Sequence, residues 1–220
     1  LGGTIVGQFA PYPAEHIHDE LHARCLVLDD GNTKLALVVC DLLGFHRNVS
    51  NEARRLIEQE TGIPPQNVLI SATHTHSATS ALGEELNEYQ RFVARRIADG
   101  VRRAINLLRP AEIAFTTVDV PNQVFNRRWF MREGSQPPNP FGKVDKVRMN
   151  PPVRSPDLVK PAGPVDPTVS IIAVRETGGR LISAYCAYSL HYVGGTGPGH
   201  VSADYYGMFC ESLKRRLSAS

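Results

Sequence analysis

The chain has 220 residues, a formal net charge of +2 with neutral histidines, 42% hydrophobic residues and 21% charged residues. This is enough sequence for one domain with a core, or for one large part of a bigger domain. The near-neutral charge gives no reason to expect nucleic acid or an acidic membrane surface as a partner, and no run is apolar enough for stable membrane insertion.

The first part of the chain alternates predicted strands and helices. Apolar runs at 25–29 and Lys34–Cys40, separated by the turn sequence 30–32, predict a β-hairpin. The second run is apolar on both faces, as in a central strand. A helix is predicted next, with Asn48 or Ser50 as its N-cap and Gly62 at its C-terminal end.

Val68–Ala72 is predicted to be another buried strand, and a long amphipathic helix follows it and ends at Pro110. The helix prediction depends on seven apolar residues at helical spacing: Leu86, Tyr89, Val93, Ile97, Val101, Ile105 and Leu108. A strand over 112–120 comes next.

Residues 121–167 hold most of the prolines of the chain and predict long irregular structure. A second hairpin, 168–174 with 181–190, turns at glycines 178 and 179, and a final helix carries Tyr206, Phe209, Leu213 and Leu217 on one side. The order favours an α/β fold, a mixed β-sheet flanked by helices, as a single domain or the larger part of one.

The strongest local feature is His74-Thr75-His76, which directly follows the predicted strand Val68–Ala72. Open α/β sheets place ligand sites at the carboxyl ends of strands. Two histidines with one residue between them lie on the same side of an extended chain, where they can share a metal ion or divide metal binding and proton transfer. The hydroxyls of Thr73, Thr75 and Ser77 are predicted to fix the ring tautomers.

A second histidine follows an apolar strand: His191, after which the chain runs through the glycine-rich segment 194–200. Glycines allow the backbone to approach a ligand closely. Arg127, in the irregular region, suits a carboxylate or an oxyanion. Asp41, after a strand, is a candidate for a polar network, and Asp204 is expected to cap the last helix or to interact with its dipole.

Several of these segments resemble the neutral/alkaline non-lysosomal ceramidases. The stretch 68–77 is similar to the "SxTHTHSGP" segment of that family, and Asn126-Arg127 is similar to its Asn-Arg pair. The segments 41–44, 61–64, 189–191 and 201–207 fit the family in the same order and with similar spacing.

The resemblance implies that His74 and His191 ligate Zn²⁺, that His76 lies beside the metal and contacts the reacting group, and that Arg127 holds the substrate or its tetrahedral intermediate. It implies hydrolysis of an N-acyl amide bond, in a small-molecule or ceramide-like lipid amide, by a metal-activated water. The family has further zinc ligands, a Glu and a Tyr, and a catalytic Ser beyond the position that matches residue 220. Residues 1–220 are therefore expected to form an N-terminal metallohydrolase domain without its C-terminal portion, weakly active or inactive alone.

Two departures from the family pattern lie where the resemblance implies that the substrate would be shaped. Ala78-Thr79 stands where the family has Gly-Pro, and Arg128 stands where it has Ser. Two alternatives stay open: another metallohydrolase of amidohydrolase type, or a non-catalytic binding domain derived from the enzyme. A metallo-β-lactamase fold is disfavoured, because the chain lacks the Asp-His of an HxHxDH motif.

Overall fold

The computed structural model describes residues 3–7, 11–191, 193 and 196–218. The predicted α/β class is confirmed, because these residues form helices together with several small sheets. The chain packs as two compact units, one of Leu1–Ala111 with His191–Ser220 and one of Glu112–Leu190.

The elements are named in chain order. They are β1 (Thr4–Val6), β2 (Tyr12–Pro13), β3 (His16–Ile17), β4 (Ala23–Asp29), β5 (Lys34–Cys40), α1 (Arg47–Thr61), β6 (Val68–Ala72), β7 (Ala78–Thr79), α2 (Glu88–Asn106), β8 (Ala111–Asp119), β9 (Arg128–Met131), β10 (Val147–Met149), β11 (Leu158–Pro161), β12 (Thr168–Glu176), β13 (Leu181–Tyr188), β14 (His200–Val201) and α3 (Asp204–Ser218).

The sheet β4-β5-β6 organises the first unit. β4 and β5 form the predicted antiparallel hairpin, and β6 adds to β5 in parallel, which makes β5 the central strand. Ala36 and Val38 of β5 are fully buried in a core shared with α1 and α2. The opposite face is more open, since Leu35 is 43% exposed and Leu69 is 51% exposed. The β5 strand is therefore apolar on both faces but deeply buried on only one.

Helix α1 begins two residues earlier than a cap at Asn48 predicts, and four residues earlier than a cap at Ser50 predicts. Its N-cap is His46, whose Nδ1 accepts from the Asn48 N–H at 3.3 Å. The predicted cap, Asn48 or Ser50, is wrong, because these side chains donate elsewhere, to the carbonyls of Glu84 and Arg47. The predicted end is confirmed, since Gly62 has a φ of 74° and its N–H closes the last turn.

Helix α2 starts with a capping box, in which Asn87 and Gln90 exchange side chain-to-backbone hydrogen bonds. Gln90 is fully buried, and its Nε2 also donates to the carbonyls of Ala81 and Gly83, at 3.1 and 2.7 Å. The start of α2 is thereby joined to the segment that follows His76. Leu86 and Leu108 of the predicted helix lie just outside it.

Helix α3 begins at Asp204, whose N–H donates to the Ser202 hydroxyl at 2.9 Å. The Asp204 carboxylate accepts from the Tyr205 N–H at 2.7 Å, which agrees with the predicted role at the helix start. Asp19 accepts from the Ala203 N–H at 2.7 Å and from the Ser202 hydroxyl. The chain just before α3 is thus tied to the N-terminal part of the same unit.

The second unit contains two three-stranded sheets, β13-β12-β8 and β10-β9-β11. The predicted hairpin is confirmed in β12 and β13, which pair with Ile171 opposite Cys186. The prediction of irregular structure throughout 121–167 is wrong, because β9, β10 and β11 lie within it. Each of these strands has only three or four residues, too few for a clear alternating pattern.

Two cysteines lie in the hairpin of β4 and β5. Cys25 and Cys40 are free thiols in the core region, and burial raises the pKa of each to about 12. No helix in the described part of the chain is both long enough and apolar enough to cross a membrane.

Replacement of Gln90 tests whether this buried amide holds the segment after His76. We expect Gln90→Ala to lower the free energy of unfolding by about 2–3 kcal/mol, because it breaks the capping box and removes the hydrogen bonds that the amide donates to two carbonyls. Urea denaturation measures the change. Gln59→Ala, at an exposed position of α1, is the control and should cost less than about 0.5 kcal/mol. Equal losses would contradict the assignment.

Candidate metal centre

Three imidazole rings come together in the first unit: those of His74, His76 and His191. The ring centroids lie 4.9 Å apart for residues 74 and 76, 5.3 Å for 74 and 191, and 5.1 Å for 76 and 191. One ligand atom from each residue lies within 4.8 Å of the others. The two predicted strand-end histidine sites therefore meet in space, and this three-histidine group can hold a metal ion.

The parallel pairing of β5 and β6 places His74. Cys40 is paired with Ala72 at the carboxyl ends of both strands, so the segments that follow them run side by side. The Cys40 carbonyl accepts from the Thr73 N–H, and the Leu42 carbonyl accepts from the His74 N–H, each at 2.9 Å. The site therefore lies at the carboxyl edge of the parallel strand pair.

His74 itself is not in an extended conformation, since its φ is 65°. The expectation that strand alternation brings His74 and His76 to one side is therefore wrong in its reason, although the rings are neighbours. A non-glycine residue in the left-handed region costs about 1–2 kcal/mol, and the surrounding structure has to offset that cost.

A main-chain carbonyl fixes the tautomer of the His74 ring. The Nδ1 of His74 lies 2.8 Å from the Leu43 carbonyl oxygen. A carbonyl oxygen only accepts hydrogen bonds, so Nδ1 carries the proton and the neutral ring keeps its lone pair on Nε2. Metal-binding histidines are typically oriented in this way.

The His76 ring is held similarly. It hydrogen-bonds the backbone of Gly7, while its Nε2 is buried without a partner among the described residues. The bonded nitrogen is therefore Nδ1. Burial lowers the pKa of His76, and the neighbouring His74 and His191 rings lower it further. A neutral ring with a buried, unpaired Nε2 lone pair is suited to bind a cation.

The hydroxyls near the histidines serve the backbone rather than the rings. Thr75 Oγ1 donates to the Ser202 carbonyl and accepts from the Ser77 N–H. The Ser77 carbonyl accepts from the Ser202 N–H at 2.8 Å. Thr73 Oγ1 is buried with no partner in the described ranges. The prediction that these hydroxyls fix the ring tautomers is wrong, because main-chain carbonyls occupy Nδ1 of both rings.

His191 follows β13 in sequence and is exposed, as is His74, whereas His76 is partly buried. In the glycine-rich segment that follows, Thr196 forms a hydroxyl–hydroxyl contact with Ser77 at 3.2 Å. The predicted close approach of backbone at glycines 194 and 195 lies outside the described residues.

Arg127 lies in the second unit, just before β9, and is exposed. Its carbonyl accepts from the Asn150 N–H at 2.8 Å. The side chain of Asn126 donates to the Pro164 carbonyl and accepts from the Arg128 N–H, which fixes the backbone on both sides of Arg127. The substrate-binding role of Arg127 stays a prediction.

The remaining histidines near the N-terminus are not part of this group. His16 and His18 lie beside His200, with ring centroids 5.0 and 6.0 Å apart. In the described part of the chain, only the group of 74, 76 and 191 brings three potential ligands close enough for one ion.

Solved structures of a known enzyme share this fold. The chain is similar to "Ceramidase complexed with C2" and to neutral ceramidase from Pseudomonas aeruginosa, in each case with a TM-score of 0.61 and 21% sequence identity over 86% of this chain. The chain has a ceramidase-like fold. It spans 29% of the length of those ceramidase chains, and no protein-family model matches it.

Within this ceramidase-like fold, sequence reasoning missed Gly7. Its φ is 128°, and a Cβ atom at this position would lie 2.6 Å from Cα and 2.7 Å from Cβ of His76. Only glycine allows the two backbones to approach so closely. The available signal was a glycine after a short apolar run, which does not point to a residue 69 positions away.

Replacement of Gly7 tests this close approach. We expect Gly7→Ala to displace His76 and to lower the free energy of unfolding by about 2–4 kcal/mol. The backbone strain of alanine at a positive φ adds to the steric overlap of its Cβ with His76. The matched control is Gly31→Ala, since Gly31 has a φ of 89° and open space around it, and this change should cost only about 1 kcal/mol. For both variants, chemical denaturation measures the loss of stability, and NMR spectra of the histidine rings report the displacement of His76. Equal losses with unshifted His76 signals would contradict the interpretation.

Proposed function

We propose that this chain is the metal-binding part of a zinc-dependent hydrolase that cleaves the amide bond of a ceramide-like lipid. The observation that carries the proposal is the convergence of His74, His76 and His191 in a ceramidase-like fold. The fold similarity supports the reaction class, and the histidine cluster supports the metal. The proposal includes the assignment of residues 1–220 to an N-terminal metallohydrolase domain.

The donor set fits zinc. His74 and His191 would hold the ion, and the fixed tautomer of His74 directs a lone pair at Nε2 for this purpose. When bound, Zn²⁺ supplies Lewis acidity, which acidifies water and polarises the substrate carbonyl. His76 is close enough to join the ligand set or to contact the reacting group.

The tautomer of His76 limits the interactions that its ring can make with a metal ion or a substrate. Its Nδ1–H is engaged by the Gly7 backbone, so the neutral ring offers a lone pair at Nε2 rather than a proton. Such a nitrogen ligates a metal or accepts a proton, and it donates to an oxyanion only after it has been protonated. The resemblance gives the role of holding the tetrahedral intermediate to Arg127, whose guanidinium carries only donors.

Metal content tests the central claim. We expect one zinc ion bound per chain, and a loss of affinity of at least about 100-fold in His74→Ala and His191→Ala, because each change removes a proposed ligand. Titration of chelator-treated protein measures the affinity. His18→Ala, which removes an exposed imidazole of the same unit, is the control and should bind zinc like the wild type. Absence of zinc binding, or equal binding by all variants, would favour a non-catalytic binding domain.

Hydrolysis of a short-chain N-acyl sphingosine tests the reaction. We expect slow release of fatty acid that stops when zinc is removed and returns when zinc is restored. Residues 1–220 should be slow alone, because the resemblance assigns further ligands and a catalytic Ser beyond them. Arg127→Met should lower the rate by roughly 10²–10³-fold, the usual effect of losing an oxyanion donor. The exposed Arg180→Met serves as the control for the loss of charge. Turnover that survives chelation would refute the zinc hydrolase.

A further inference from the structure

Asp41 is a buried carboxylate at the carboxyl end of β5. It is only 1% exposed, and its Oδ2 accepts from the His22 N–H at 2.9 Å and from Arg24 Nη1 at 2.5 Å. The Asp41 N–H in turn donates to the His22 carbonyl at 3.0 Å. Both the backbone and the side chain of Asp41 are therefore hydrogen-bonded to residues at the start of β4, His22 and Arg24.

Core stability alone does not account for a carboxylate at this position. Asp41 Oδ1 is buried with no partner in the described part of the chain, and burial raises the pKa of Asp41 although Arg24 opposes that shift. A buried acceptor without a donor costs free energy, and an apolar side chain of similar volume would avoid that cost.

The two residues after Asp41 supply the hydrogen-bond acceptors of His74. The Leu42 carbonyl accepts from the His74 N–H at 2.9 Å, and the Leu43 carbonyl accepts from Nδ1 of its ring at 2.8 Å. Cys40, on the other side of Asp41, accepts from the Thr73 N–H. The segment 40–43 therefore holds both the backbone and the ring of His74, and Asp41 lies in its middle.

His74 depends on this support because of its left-handed backbone, with a φ of 65°. An unsupported histidine would return to the ordinary φ region, and its ring would turn away from residues 76 and 191. The position of the segment 40–43 therefore decides where Nε2 of His74 lies.

We infer that Asp41 is a positioning residue, whose anchored carboxylate fixes the Leu42 and Leu43 carbonyls that orient His74. The consequence for metal affinity rests on the proposed function, whereas the orientation of the ring does not. Arg24 contributes indirectly, through its ion pair with the Asp41 carboxylate.

The test compares Asp41→Ala, Asp41→Asn and Arg24→Met with wild type. In metal-free protein at about pH 8, long-range ¹H–¹⁵N spectra of the histidine rings report which nitrogen carries the proton. We expect the Nδ1–H form of His74 in wild type, a mixture of tautomers in Asp41→Ala, and partial rescue in Asp41→Asn, which keeps one acceptor oxygen. Zinc affinity should weaken roughly 10-fold or more in Asp41→Ala, with a changed Co²⁺ d–d spectrum.

Glu60→Gln is the matched control. It weakens another carboxylate–guanidinium pair of the same unit, that of Glu60 with Arg95, which links α1 to α2. This variant should leave the His74 tautomer and the zinc affinity unchanged.

A folded Asp41→Ala protein with an unchanged His74 tautomer and unchanged zinc affinity would overturn the inference, even if its unfolding midpoint falls. Arg24→Met keeps the carboxylate and decides the question by the same two readouts if Asp41→Ala does not fold. A wild type that binds neither zinc nor cobalt refutes the proposed metal site only, because the tautomer comparison still tests the positioning role.

Discussion

The site depends on two hydrogen bonds from imidazole rings to the main chain. Nδ1 of His74 donates to the Leu43 carbonyl, and Nδ1 of His76 is engaged by the backbone of Gly7. Each ring then keeps its lone pair on Nε2, so both offer the same kind of donor atom. Within the described residues, no donor reaches the buried Nε2 of His76. A cation could therefore take up the lone pair of that nitrogen.

The parallel strand pair explains why these acceptors are available. Because Cys40 and Ala72 are paired, the chain after β5 and the chain after β6 leave the sheet at the same edge and in the same direction. The first of these segments contributes carbonyl oxygens and the second contributes the histidines. An antiparallel pair would have sent the two segments to opposite ends, so the sheet topology is the reason that Leu43 can orient a ring 31 residues away.

Sequence periodicity predicted the strands that lead to the histidines, but it did not predict the main-chain groups that orient the rings. The apolar patterns of buried strands are strong. They predict the hairpin of β4 and β5, the strand β6 and the histidines at the strand ends. The acceptors at Gly7 and Leu43 were not predicted, because a main-chain carbonyl has the same chemistry at every residue and leaves no side-chain signature. For a similar reason the hydroxyls of Thr73, Thr75 and Ser77 were given a role that carbonyls fill. Strands β9, β10 and β11 were missed because each is too short for a period to appear.

The three rings of the group differ in burial, and this difference bears on the access of solvent to an ion held there. Structural zinc sites surround the ion with four protein ligands, whereas catalytic sites leave a position for water or substrate. His76 is partly buried and anchored, which gives the group a rigid base, while His74 and His191 are exposed. An ion held mainly by the two exposed rings would face solvent on one side, where a substrate can reach it. The burial pattern of the described residues agrees with the open coordination position that the proposed hydrolase requires.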